Sequence, residues 1–323
     1  MKILVAGGAG YIGSACTEYL IDNGHEVTVL DALITGHRDA VDKRANFIEG
    51  NFADRDFIVK TVMQGRFEAI MHFAAFSLVG ESMKDPGKYF RNNLCAAVNI
   101  ADAAVMGGVR TIVFSSTAAT FGEPEEMPIT EETPQNPINP YGESKLAFEK
   151  VLKWYNKIHG LEYAALRYFN AAGASANFGE DHNPETHLIP IILQVAQGKR
   201  DKIMIYGNDY DTPDGTCIRD YIHILDLAQA HMKALNAPRS GHFNLGTGNG
   251  LSVKEIVNAA REVTGHPIPA EIAPRRSGDP PRLIAGSELA KRELGWKPQF
   301  EDVRLIIESA WKWAQKYPNG YTK

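Results

Sequence analysis

Cysteine is nearly absent from this sequence. Cys16, Cys95 and Cys217 stand far apart in a chain of 323 residues. That odd, dispersed set excludes a disulfide framework and a cysteine-built zinc site, and it fits reduced thiols in a cytoplasmic location. Long apolar runs are missing as well. None approaches the ~18 residues of a membrane-crossing helix, so no membrane partner is expected. The opening "MKILVAGG" reaches glycine too soon for a secretory signal. There is no excess of positive charge: 34 Lys and Arg face 39 Asp and Glu, for a net charge of −5. A nucleic-acid partner, which usually needs a basic surface, is therefore not expected. No repeat and no low-complexity tract occurs, and no metal is expected. The rest is ordinary for a globular protein, with 44% hydrophobic and 23% charged residues and enough length for two domains.

Short apolar runs alternate with helical stretches through the first half. "KILVAG", "HEVTVLD", "ANFIEGN", "FEAIMHFAA", "VRTIVFSS" and "LEYAALRYFN" read as six strands. The stretch from about Gly10 to Asn23 places Ile12, Cys16, Tyr19 and Leu20 on one helical face. This alternation predicts an α/β fold, a doubly wound parallel sheet of the Rossmann type over residues 1–170. Beyond Asn170 come a Gly- and Asn-rich loop, amphipathic helices and the basic loop "APRRSGDPPR". These predict a smaller α+β domain over residues 171–323. The boundary is soft, with segments returning to the first domain.

"VAGGAGYIGS" follows the first strand and opens the first helix. Gly7 permits the turn, Gly10 lets a backbone approach a pyrophosphate, and Gly13 lets helix and strand pack. A valine at Gly7 is expected to abolish cofactor retention by meeting that pyrophosphate. Asp31 closes the second strand, where a carboxylate accepts from both ribose hydroxyls of an adenosine. It would repel a 2′-phosphate, so the predicted cofactor is NAD.

The Gly-x-x-Gly-x-x-Gly spacing resembles the extended short-chain dehydrogenase/reductase superfamily, which implies a Tyr-x-x-x-Lys pair downstream. "PYGESK" supplies Tyr141 and Lys145, one helical turn apart behind Pro140. A phenol titrates near pH ~10 and is a weak base at neutrality. A lysine ammonium and a cationic nicotinamide nearby both favour the phenolate, so Tyr141 becomes a candidate base for a sugar hydroxyl. The resemblance also implies a hydroxyl at the end of the fifth strand, where Thr117 matches. Ser115 stands beside the cofactor in the same alignment, although strand-end hydrogen bonding explains it and Ser116 too.

Farther along come "HFAAFSLVGESMKDPGKYFRNN", "FSSTAATFGEP", "LRYFNAAGA", "YGNDYDTPDGTCIRDYIHILDLAQAH", "FNLGTGNG" and "APRRSGDPP". In this order they resemble the UDP-glucose 4-epimerase family over the whole chain. The resemblance implies interconversion of UDP-galactose and UDP-glucose, as in galactose metabolism, with NAD retained and no net redox change. It places Tyr11 and Ile12 in the phosphate turn. Asn51 falls near the adenine, and Phe52 at the cofactor. Phe73, Ala74, Ala75, Ser77 and Asn92 fall along the cofactor, and Tyr168 near the nicotinamide. Ser77 stands where some members carry lysine, so a charge contact is lost. Phe169, Asn170, His187 and Leu188 are implied at the sugar nucleotide, and Ile205 and Tyr206 flanking the uracil. Arg219 and Arg276 are implied at the pyrophosphate, Asp279 at the uridine ribose, and Leu283 beside the sugar C2 group. Two guanidinium forks suit a diphosphate. A solvated basic loop is the ordinary reading of "PRR" outside this context. His72 and His223 read as structural. Leucine at 283 leaves UDP-N-acetylhexosamines open, and UDP-glucuronate or UDP-pentose 4-epimerases share much of the pattern. Ala118 and Ala119 after Thr117 leave no acid pair for dehydration. A non-catalytic NAD-binding regulator and an NADH-releasing dehydrogenase are the readings from other classes. The resemblance further implies a homodimer through Pro86–Met106 and Tyr141–His159.

Overall fold

The computed structural model describes residues 1–237, 240–276 and 279–321. Ser277 and Gly278 of the "APRRSGDPP" string lie outside the described residues. Six strands come first: β1 (Lys2–Ala6), β2 (Glu26–Asp31), β3 (Asn46–Glu49), β4 (Ala69–His72), β5 (Thr111–Thr117) and β6 (Glu162–Tyr168). Seven short strands follow: β7 (Asn170–Ala172), β8 (Ile203–Tyr206), β9 (Ile218–His223), β10 (Gly241–Leu245), β11 (Gly250–Ser252), β12 (Ala270–Ala273) and β13 (Arg282–Leu283). The main sheet is parallel throughout, in the order β10-β6-β5-β4-β1-β2-β3. Its strands are apolar on both faces because helices cover both. Ile3, Val5, Val29, Met71, Val113 and Leu166 pack on one side. Leu4, Ala6, Ile70, Ile112, Phe114 and Ala165 pack on the other.

The strand order reverses between β1 and β4. At such a switch point the loops leaving the two carboxyl ends diverge and open a crevice. The glycine turn after β1 and the Phe73–Ala75 segment after β4 stand at that point.

One feature differs from the reading of the sequence, and one gives the expected return of a segment to the first domain its identity. "LEYAALRYFN" is not one strand. β6 ends at Tyr168, Phe169 turns into a small cluster with Ala118, Phe121 and Leu283, and Asn170 starts β7, which pairs with β9 in a second sheet. The chain thus passes from one sheet to the other directly over the crevice. β10, from the second half, returns as the seventh strand of the main sheet beside β6. The second sheet (β11-β9-β13 with β7) and the pair β8-β12 pack with helices Leu188–Ala196, Val253–Thr264 and Val303–Lys316 around a core of Ile192, Ile256, Ile306 and Ile307. Among the described residues no helix is long and apolar enough to cross a membrane.

The helix Pro140–His159 begins with proline at its first position. Asn139 caps it by accepting from the Gly142 N–H at 2.8 Å, and Gly160 ends it at φ +70°. Below its first turns Glu149 and Arg167 form a buried pair, 1% and 2% exposed, with bonds of 2.9 and 2.6 Å. Ser116 Oγ donates to the same carboxylate at 2.5 Å. Removing one partner of a buried pair strands the other charge. Glu149→Ala should therefore lower stability by about 3–5 kcal/mol. Chemical denaturation checks this, and a loss below about 1 kcal/mol would contradict it.

Candidate active site

The loops at the carboxyl edge enclose one cavity of about 1240 Å³ that runs from the glycine turn to the second sheet. At one end Gly10 is the N-cap of helix Tyr11–Asp22. It brings no capping side chain, and the first turn holds no acidic residue. An anion is therefore favoured at that helix start. The three glycines do different work. A Cβ on Gly13 would meet the Gly7 carbonyl oxygen at 2.2 Å. A Cβ on Gly7, whose φ is +85°, would meet the Ala74 nitrogen at 2.4 Å. A Cβ on Gly10 meets only the Gly7 oxygen, at 3.4 Å. The expected reason for Gly7 is thus corrected: its missing side chain makes room for the backbone after β4, and Gly10 is the one that leaves space toward the cavity.

Asp31 accepts from the Ala9 N–H at 3.0 Å and the Leu33 N–H at 2.9 Å. A carboxylate has about four acceptor positions, so two remain for ribose hydroxyls. Burial raises its pKa, and those backbone N–H groups oppose the rise. Asn51, Phe52, Phe73, Ala74, Ala75 and Ser77 continue this wall with Tyr11 and Ile12. The Asn51 side-chain oxygen is taken by the Ala53 N–H at 2.9 Å, leaving its amide as a donor. Asn92 also faces the cavity, and its Nδ2 donates to Asn93 at 3.0 Å. The backbone over Phe90–Ala96 is a π-helical turn, which spacing alone does not reveal. Lys88 was not anticipated on this wall. It lies over the Phe76 ring at 4.0 Å and is tied to Glu81 at 2.7 Å. These residues fit a dinucleotide: an uncapped helix start, a cradle at Gly10 and a half-satisfied acid at Asp31.

Midway along the cavity stand Thr117, Tyr141 and Lys145. Burial pushes the Tyr141 pKa up, and the neighbouring Thr117 side chain opposes that. Lys145 Nζ donates to the Ser115 carbonyl at 2.8 Å, and burial brings its pKa down to about 7. Ser115 Oγ is bonded to the Tyr168 hydroxyl, so both hydroxyls expected beside the cofactor are already engaged with each other, although both residues line the cavity. Ser116 turns the other way, to Glu149. His72 is buried in an aromatic cluster, stacked on Phe114 at 5.6 Å, and burial brings its pKa down to about 3. His223 accepts from the Leu225 N–H and stacks on Phe300 at 4.1 Å.

At the far end stand Phe169, Asn170, Leu188, Tyr206, Arg219, Arg276, Asp279 and Leu283. Ile205 does not line the cavity. Ile203, Met204 and Tyr206 of β8 line the cavity, while Ile205 is buried in the domain. Arg219 and Asp279, expected at separate parts of a nucleotide, are ion-paired to each other. The Arg276 guanidinium lies 4.0 Å over the Tyr206 ring, and Arg275 pairs with Asp209 away from the cavity. His187 lines the wall, but its Nδ1 sits 2.9 Å from Glu180 and 2.8 Å from Glu185. Burial alone would lower its pKa; the two carboxylates outweigh that and lift it to about 10. Within "DGTCIRDYIH", Asp214 and Asp220 are scaffold. Asp220 is fully buried and accepts from Thr247, Gly248 and Ala285 N–H groups at 2.9–3.1 Å. Residues 33–38 and Tyr321 also line the cavity. No local motif marks them, because contacts distant in sequence bring them there.

The description "NAD dependent epimerase/dehydratase family" matches residues 3–246. The chain is 56% identical to a UDP-glucose 4-epimerase of Streptococcus mutans, over 99% of both chains. A solved structure of a UDP-glucose 4-epimerase superposes with a TM-score of 0.97 at 54% identity, covering 100% of both chains. The Brucella ovis UDP-glucose 4-epimerase, solved in complex with NAD, gives a TM-score of 0.93 at 45% identity, covering 96% of this chain and 97% of that one.

The contrast between the glycines is testable. Gly10→Val should fold with an unchanged far-UV circular dichroism spectrum yet purify without dinucleotide. Gly7→Val should lose soluble yield as well as dinucleotide. A Gly7→Val protein with full dinucleotide absorbance would overturn this reading.

Proposed function

Because the chain belongs to the NAD dependent epimerase/dehydratase family, we propose that it interconverts UDP-galactose and UDP-glucose, with NAD as its resident cofactor and a place in galactose utilisation. The carrying observation is the single cavity in which a dinucleotide cradle, the Tyr141–Thr117–Lys145 group and the Arg219–Arg276 end share one space. Its volume exceeds the ~300–1,000 Å³ usual for one small ligand, which suits a dinucleotide plus a nucleotide sugar.

NAD, when bound, supplies the hydride acceptor and donor for sugar C4. The chain supplies the proton path and the anchors. Tyr141 removes the O4 proton and later returns it, and Thr117 holds the same oxygen through its hydroxyl. Lys145, largely desolvated, stands one helical turn along and stabilises the phenolate when charged. Arg219 and Arg276 bind the diphosphate, with Arg219 exchanging part of its contact to Asp279 for phosphate oxygens. The sugar end is walled by Phe169, Leu188 and Leu283, whose apolar surfaces offer no fixed hydrogen bonds. A 4-keto sugar can therefore turn there while the UDP end stays anchored. We assign residues 1–170 to the NAD-binding unit and 171–323 to the UDP-sugar unit, with β10 returned to the first.

Proton NMR of UDP-galactose with purified protein and no added NAD tests this. UDP-glucose signals should appear, and Tyr141→Phe should slow their appearance by about a hundred- to ten-thousand-fold. No conversion even with NAD added would overturn the proposal.

We also propose a cytoplasmic homodimer. The three cysteines are free. Trp154 and Ile158, at i and i+4 of Pro140–His159, are 58% and 65% exposed, and Met106 is exposed at the end of the neighbouring helix. Changing Trp154 and Ile158 together to Glu should yield monomers in sedimentation velocity; a dimer that persists unchanged would rule out this surface.

A further inference from the structure

The loop that connects the two units carries a feature the sequence reading did not assemble. Over eight residues, Glu180, His182, Glu185 and His187 bring four ligand-type atoms within 4.8 Å of one another. His187 Nδ1 stands 2.9 Å from Glu180 Oε1 and 2.8 Å from Glu185 Oε1. His182 Nδ1 stands 3.2 Å from Glu180 Oε1 and 3.7 Å from Glu185 Oε2. Both carboxylates are more than nine-tenths buried. Among the described residues, the cationic groups recorded against them are these two imidazoles alone. His182 Nδ1 is a buried atom that makes no hydrogen bond, with carboxylate oxygens of Glu180 and Glu185 at 3.2 and 3.7 Å.

From these observations we propose that Glu180, His182, Glu185 and His187 form a structural site for a divalent zinc-class ion. Zinc takes imidazole nitrogen and carboxylate oxygen at about 2.0–2.2 Å in a tetrahedron, whose edges are then about 3.3 Å. The four nitrogen–oxygen distances, 2.8 to 3.7 Å, lie around that edge, with His187 nearest Oε1 of Glu185 and His182 nearest its Oε2. Two carboxylates balance the charge of a divalent ion and leave both imidazoles neutral, the form in which they bind metal. The outer contacts fit as well. The backbone N–H groups of Thr186 and His187 donate to Glu185 Oε1, both at 2.7 Å. They orient the carboxylate as supporting groups do around metal ligands.

Four protein donors leave no open position, so the ion is a clamp and not a Lewis acid for the sugar. Its place explains what it clamps. The His182 ring meets the Tyr11 ring edge-on at 6.2 Å, and Tyr11 belongs to the phosphate turn. His187 caps the start of helix Leu188–Ala196, which opens the far wall of the cavity. The ion would fasten the loop of the second unit against the nucleotide cradle of the first.

The full chain, prepared without an affinity tag and stripped with a chelator, is reloaded with zinc sulfate, gel-filtered and analysed by inductively coupled plasma mass spectrometry. One zinc per chain is expected, with a higher melting temperature than the stripped protein. Cobalt(II) in its place should show the intense visible bands of tetrahedral coordination. His182→Gln and Glu185→Gln, checked for folding by circular dichroism, should each lose the metal. Absence of retained zinc in the wild-type chain, an octahedral cobalt spectrum, or one tightly held zinc in a folded His182→Gln chain would each overturn the proposal. The wild-type measurements decide the matter even if a variant fails to fold.

Discussion

Four groups converge on the carboxylate of Glu149: the Arg167 guanidinium through two bonds, the Ser116 hydroxyl, the Gln135 amide at 3.4 Å and His242 at 3.5 Å. Glu149 belongs to the helix Pro140–His159, Ser116 to β5 and Arg167 to β6. A buried charge is costly unless paired and hydrogen-bonded, so this arrangement tolerates little displacement. The helix is thereby locked in rotation and height over the two strands. Tyr141 and Lys145 lie on that helix, and Thr117 follows Ser116 directly on β5. Alternation along the strand sends Ser116 down to the carboxylate and Thr117 up to the phenol. The Tyr141 and Thr117 side chains are placed by a salt bridge that does not touch the cavity.

Electrostatics in the cavity follow from the same burial. Desolvation raises the Tyr141 phenol and brings the Lys145 ammonium down to about 7. The protein alone therefore favours neutral forms of both. A positively charged ring bound beside them would shift the phenol toward its anion, because an opposite charge nearby favours the ionised form. At the far end the logic reverses. Arg219 is neutralised by Asp279, and Arg276 rests on the Tyr206 ring, so two cations are kept in place without adding a large desolvation penalty.

Much of the first domain is legible from local pattern. Parallel strands buried on both faces read as short apolar runs, and each of the first six lies where such a run occurs. The glycine spacing and Asp31 are legible because a tight turn and a strand end impose residue types on consecutive positions. The Tyr141–Lys145 pair is legible because one helical turn brings i and i+4 together. Phe169 shows the limit: its apolar character continues the strand pattern, but packing against Ala118 and Leu283 breaks the strand there.

Local pattern suffices for the alternating α/β framework, the glycine turn with Asp31, and the Tyr141–Lys145 pair, since each depends on neighbours within about one helical turn or one strand. Long-range packing is what brings Arg219 to Asp279 sixty positions later, turns Ile205 away from the cavity while Tyr206 faces it, adds β10 to the main sheet, and gathers two glutamates and two histidines beside Tyr11. Those outcomes depend on how separate elements pack, and packing selects among rotamers, faces and partners that local chemistry leaves equally available.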